Sequence, residues 1–188
     1  AVTASTGSAN NSFVRTYAID PTTGAATLIG QTAAALAGAG DVPTGCDFNP
    51  QVDRIRYGNT NDENARLNPN NGALAGNDTD LTPALATDVV AAAYDRNFDR
   101  QNIAAPSNDA IPTTLYLINR ASSALAQQGG IDGGTPPGPN GGVVTTVGAL
   151  GITLHPTRDG GLDIAPSIDG QLAFAALAGP DPYDATTR

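Results

Sequence analysis

The sequence predicts an all-β fold built from antiparallel four-stranded repeat units, a β-propeller or a propeller-like stack, and three observations carry that expectation. A hairpin motif recurs: Tyr17-Ala18-Ile19-Asp20-Pro21 followed by Gly24-Ala25 returns 48 residues later as Ala65-Arg66-Leu67-Asn68-Pro69 followed by Gly72-Ala73. A second element repeats independently of it, Cys46-Asp47-Phe48-Asn49-Pro50 with Asp53 matching Leu162-Asp163-Ile164-Ala165-Pro166 with Asp169. Composition agrees, because Glu63 is the only Glu, there is no Lys, and all nine basic residues are Arg, whereas helix surfaces draw on Glu and Lys. With aromatics at 5% and no Trp or Met, the core falls to small and β-branched side chains, which suit closely stacked sheets.

Taken in order, the units span about 1–32, 45–82, 89–150 and 161–188, as one domain over 1–188. In the first, "AVTAS" aligns with the end of a second strand, and "YAIDPTTGAATLIG" supplies the third and fourth, joined by a turn of Asp20, Pro21 and Gly24. The second is complete, with strands at "CDFNP", "RIRYG", "NARLNP" and "GALAG". The third opens on Ala92-Ala93-Tyr94-Asp95, a looser copy of "CDFNP" leading into "RNFDR". Val89, Val90, Ala93 and Tyr94 could also share a helical face, but the repeat alignment favours a strand. Tyr116-Leu117-Ile118-Asn119 reads as a third copy of the hairpin's first strand, stripped of its Pro and Gly.

Spacing breaks once, and most of the excess is "GGIDGGTPPGPNGG", residues 129–142, whose Gly-Pro composition marks an exposed surface excursion. After it "VVTTVGALGITL" resumes strand alternation. A period of about 45 to 50 residues is that of propeller blades. The alignment places Pro21, Gly24, Pro69 and Gly72 in equivalent turns and points Ile19, Leu67 and Ile118 into the core.

The last unit, at 161–188, has only first and second strands. Either the terminal strands close on each other within one molecule, or open strand edges pair with a neighbouring subunit to give a homo-oligomer or filament. A processed fragment is the third expectation.

A net charge of −9 opposes nucleic acid and anionic membrane surfaces as partners, and no apolar run reaches bilayer-spanning length. Cys46, the single Cys, can form no intrachain disulfide and reads as a small core hydrophobe. His155, the single His, precedes Pro156 at a strand-end turn and reads as structural, with no His partner for acid-base or metal chemistry.

Asp47, Asp53, Asp163 and Asp169 recur in register, so two of them converging on an axis would serve as acid and base or hold a hard cation such as calcium. Recurrence also suits a cap on each hairpin, and that use weighs more heavily. The oxygen-rich stretch at residues 58–72 lacks the ordered spacing of a calcium loop. "GGTPPGPNGG" is no phosphate cradle, since the chain has no Lys to complete one. Arg54, Arg56 and Arg66 lie near Asp53, Asp62 and Glu63, which suggests cross-strand ion pairs among them.

At "YAIDPTTGAATLIG", "CDFNPQVDRIR", "NARLNPNNGAL", "VVAAAYDRN", "TTLYLIN" and "GGVVTTVGALG" followed by "GLDI", the chain resembles a bacterial family catalogued as domain of unknown function 4394. The likeness spans nearly the whole chain, departing at Cys46, where an aromatic or aliphatic residue is more usual, and in the enlarged 129–142 loop. It implies a propeller-like fold and secretion, and it transfers no chemistry. The expectation is therefore an extracellular, non-enzymatic structural or self-associating module. Its alternative is a ligand-binding or hydrolytic propeller using the axial Asp residues.

Overall fold

The computed structural model describes residues 2–6, 13–33, 36, 42, 44–83, 88–96, 112–134, 138–165 and 172–180. They form an all-β protein of antiparallel sheets. The first sheet holds β1 (Val2–Thr6), β2 (Phe13–Ile19) and β3 (Ala26–Gln31). The second is an up-and-down sheet of β4 (Thr44–Asn49), β5 (Arg54–Asn59), β6 (Asn64–Leu67) and β7 (Leu74–Asn77). The third repeats that order with β8 (Val89–Tyr94), β9 (Leu115–Asn119), β10 (Ala124–Gln128) and β11 (Val144–Ala149). A two-stranded sheet, β12 (Gly160–Ile164) with β13 (Ala173–Leu177), follows.

The recurrent hairpin motif folds as the same turn twice. Asp20 N–H donates to the Ala25 carbonyl and Gly24 N–H to that of Asp20; Asn68 N–H donates to Ala73 and Gly72 N–H to Asn68. Each turn is also pinned by its acidic or amide side chain, since Asp20 Oδ1 accepts from Thr22 N–H and Asn68 Oδ1 from Asn70 N–H. Gly24 and Gly72 both close the turn at positive φ, +74° and +68°. The β4–β5 turn is pinned by the same kind of contact, with Asn49 Oδ1 accepting the Gln51 N–H at 2.8 Å.

The core lies between sheets, not within one. Val14 and Leu36 pack on Ile55, Tyr57, Ala65 and Leu67, joining the first sheet to the second. Val89, Ala92, Tyr94, Leu115 and Leu117 form a cluster with Leu81 on the side of the third sheet that meets the second. Val90, Ala91 and Ile118 pack on Leu162 and Leu177 of the last sheet. The strands that open the three later sheets lie side by side, β4 against β8 and β8 against β12. Gly45 permits the first approach, because a Cβ there would sit 2.6 Å from the Ala91 carbonyl carbon.

Three sequence expectations are corrected. Ile19 is 42% exposed, while Leu67 and Ile118 are buried as expected. Ile19 shares Leu67's place in the repeat, but Leu67 faces the first sheet, and the first sheet has no described sheet before it to cover Ile19. Residues 115–119, aligned with a third strand, are the second strand of their sheet, pairing β8 on one side and β10 on the other. "RNFDR", the expected second strand there, lies largely outside the described residues. The chain between β8 and β9 thus accounts for much of the excess spacing assigned to residues 129–142.

The 129–142 segment is also not a free excursion. It holds two short 3-10 turns: Ile131–Gly133 is tied to the third sheet by the Asp132 N–H donating to Thr114 Oγ1, and Pro139–Gly141 folds back onto the residues that follow β7. Thr79 N–H donates to the Asn140 carbonyl, Thr82 N–H to that of Gly142, and Thr82 bridges Val143 in parallel. Gly142, at φ +71°, approaches so closely that a Cβ would lie 2.2 Å from the Asp80 carbonyl oxygen.

Candidate functional site

The densest polar constellation is buried between the second and third sheets and has Arg56 at its centre. The β5–β6 register sets Arg56 directly opposite Arg66, an arrangement of like charges that needs a counter-ion. Asp78, just beyond β7, supplies it: Arg56 Nη1 lies 2.6 Å from Asp78 Oδ2 and Arg66 Nη2 2.8 Å from Asp78 Oδ1. The hydrogen bond to Asp78 holds the Arg66 guanidinium above its ordinary range. These arginines therefore pair with Asp78 and not with Asp53, Asp62 or Glu63, as their sequence spacing had suggested. Arg54 instead donates to the Asp53 carbonyl oxygen.

From this pair the network crosses to the third sheet. Arg56 donates from Nη2 to Asn140 Oδ1 at 2.6 Å and from Nη1 to Asn64 Oδ1 at 2.8 Å. Gln128, buried on β10, donates through Nε2 to Asn64 Oδ1 and to the Pro139 carbonyl, and Asn64 Nδ2 also donates to Pro139 and to Thr79. Through these bonds the amides and the Arg56 guanidinium hold the two sheets together, while Gln128 Oε1 is buried without a hydrogen-bond partner. Neither Gln128 nor Asn140 was singled out from sequence. The signal for Asn140 was hidden because its neighbours are Pro and Gly, which read as loop.

Among the described residues each recurring carboxylate has its own surroundings. Asp47 accepts the Phe48 N–H through Oδ1 and the Tyr94 N–H of β8 through Oδ2, both at 2.7 Å. Burial raises its pKa, the two backbone hydrogen bonds oppose the rise, and the Asp163 charge adds to it. Asp53 stands exposed at the outer β4–β5 turn, where Oδ2 accepts from Asn70 Nδ2 at 2.9 Å. Asp163 is exposed on β12, and Asp169 lies outside the described residues. So Asp47 ties two sheets together, where a cap on its own hairpin had been the expectation.

Among the described residues no group of three or more His, Cys, Asp or Glu side chains could hold a metal ion. In the oxygen-rich 58–72 stretch, Asn59 Oδ1 accepts from Asn61 and Glu63 N–H and closes the β5–β6 turn. Glu63 is only 5% exposed, its Oε2 has no hydrogen-bond partner, and its pKa is pushed up to about 7, first by burial and then by the Asp80 charge. Tyr57 is raised to about 12 by burial, with Glu63 and Cys46 contributing.

Cys46 is half-buried and packs against the cluster between the first two sheets. It also borders a cleft of about 180 Å³, with Ala91, Ala92 and Gly161, where β4, β8 and β12 meet. His155 lies in the connection between β11 and β12, not at a strand end, and its Nδ1 accepts the Thr157 N–H.

No curated protein and no solved structure matches this chain. A family model described as "Domain of unknown function (DUF4394)" matches residues 9–185. With the match covering nearly the whole chain, this protein belongs to the DUF4394 family.

Proposed function

We propose that the protein is a secreted, non-enzymatic structural module, a propeller-like stack of sheets that associates with copies of itself. The observation that carries this reading is how its buried polar groups are employed. Arg56, Asn64, Asp78 and Gln128 are committed to one another and to backbone carbonyls across the second and third sheets, and Asp47 to backbone amides. Buried polar groups cost free energy unless paired, and this network, in which Gln128 Oε1 alone of those side-chain atoms lacks a partner, holds together the join it spans. The side-by-side placement of β4, β8 and β12 supports the propeller-like arrangement, since those strands would line its axis.

Self-association is supported by strand edges that lack the charged or Pro gatekeepers typical of monomers. β1, β3, β11 and β13 (VTAST, ATLIGQ, VTTVGA and AFAAL) carry no charged residue at all. Secretion rests on what the family resemblance implies. The ligand-binding alternative gains less support, because both oxygens of Asp47 already accept hydrogen bonds. Sedimentation velocity of the intact chain across a hundredfold range of concentration tests the reading. A sedimentation coefficient that rises with concentration is the expected result, and a strictly monomeric chain would overturn it.

A further inference from the structure

The two end sheets expose faces that correspond to the faces by which the inner sheets pack. In the second sheet, Ile55, Tyr57 and Leu67 form the face that meets the first sheet, whereas Asp47 and Arg56 lie on the face that meets the third. In the last sheet, Leu162 and Leu177 pack toward the third sheet. That leaves Asp163 and Phe174, cross-strand partners, on the outward face with Gly161 and Ala176. Phe174 is 65% exposed and borders a depression of about 420 Å³ beside Asp163.

At the opposite end, Val14 and Thr16 of β2 are buried, so strand alternation puts Phe13, Arg15, Tyr17 and Ile19 on the outer face. Leu28, opposite Tyr17, is 52% exposed there. Position by position this is the Leu67 face of the repeat; no described sheet packs on it, and Phe13, Arg15 and Tyr17 are half-buried while Ile19 is exposed.

We propose that these two faces are the halves of one interface, the Phe174 face of one copy seating on the Ile19 and Leu28 face of a second. The contact continues, between molecules, the face-to-face packing seen three times inside the chain. Charge complementarity favours a second copy as the occupant. Asp163 occupies the place in the repeat from which Asp47 reaches the neighbouring sheet, and Arg15 stands on the receiving face. The sequence agrees, since β13 is an unbroken apolar run, the signature of a strand covered on both sides, yet its first four residues are exposed. Because the faces differ, the contact is heterologous and propagates head to tail. This inference rests on the self-association reading and adds the surface to it.

Two single variants, Ile19→Asp and Phe174→Asp, test it by sedimentation velocity beside the wild-type chain. Both side chains are exposed, so circular dichroism spectra should match the wild type. Each variant alone should remain monomeric where the wild type assembles. An equimolar mixture should stop at dimers, because the Ile19→Asp copy keeps its last-sheet face and the Phe174→Asp copy its first-sheet face. A wild type that assembles while both variants assemble equally well overturns the assigned faces and leaves self-association standing. Monomeric variants that fail to pair in the mixture overturn the head-to-tail contact, and a monomeric wild type overturns both readings.

Discussion

Asp47 on β4 and Tyr94 on β8 are joined by a 2.7 Å hydrogen bond from the Tyr94 backbone N–H to Oδ2. The bond links neighbouring sheets at the strands that open them, and a second hydrogen bond, from Phe48 N–H to Oδ1, fixes the carboxylate for it. Asp47→Ala should therefore lower stability by about 1 to 3 kcal/mol, the cost of leaving the backbone donor of the buried Tyr94 unpaired. Asp47→Asn, which keeps one acceptor oxygen, should cost less. Denaturant unfolding of the two variants checks the order, and an Asp47→Ala chain as stable as wild type would refute the link.

Gly24 and Gly72 close equivalent turns in different surroundings. Both have positive φ, so a side chain at either costs about 1 to 2 kcal/mol in backbone strain. A Cβ at Gly72 would also lie 2.4 Å from the Gly30 carbonyl carbon, whereas one at Gly24 meets nothing within 4 Å. Gly72→Ala should destabilise clearly more than Gly24→Ala in thermal melts. Equal losses would mean that the first and second sheets do not approach at these hairpins.

Leu67 and Ile19 occupy the same place in the repeat with opposite burial. Leu67→Ala should cost about 2 to 5 kcal/mol as a fully buried truncation. Ile19→Ala should fall within about 0.5 kcal/mol of wild type at concentrations too low for association. A large loss at Ile19 in dilute solution would place the end face inside the monomer.

Glu63 sets a pH dependence. Its folded pKa, about 7, lies above the ordinary 4.5, so the folded state binds the proton more tightly than the unfolded state. Its contribution is therefore most favourable below about pH 4.5 and is lost as pH rises through 7, with Asp80 and Tyr57 as its charged and titratable neighbours. Glu63→Gln should remove that slope between pH 5 and 8 and leave the variant more stable than wild type at pH 8. Unchanged pH dependence of the denaturation midpoint would show that Glu63 does not titrate in this window.

Local chemistry made part of this legible in the sequence. The Asp20 and Asn68 hairpins could be read because Asx side chains, Pro and Gly fix a turn within a few residues. The β4 to β7 meander followed from the same punctuation. Residues 115–119 were misplaced in their sheet because the lost Pro and Gly removed the turn that distinguishes third strands. A truer guide was Ile55-x-Tyr57-x-Asn59 against Leu115-x-Leu117-x-Asn119, where a buried Asn ends each second strand and accepts a nearby backbone N–H. The partners of Arg56 were not legible at all. Asp78 and Asn140 reach it only through sheet register and the folding back of a Gly-Pro segment, which no spacing rule encodes.

Electron microscopy of the purified intact chain measures the central claim most directly, because a head-to-tail contact between unlike end faces must generate ordered assemblies. Filaments or rings are expected, in which successive copies continue the sheet stack with sheets about 10 Å apart. Dispersed single particles at concentrations well above those of sedimentation, with no lateral or axial order, would contradict it.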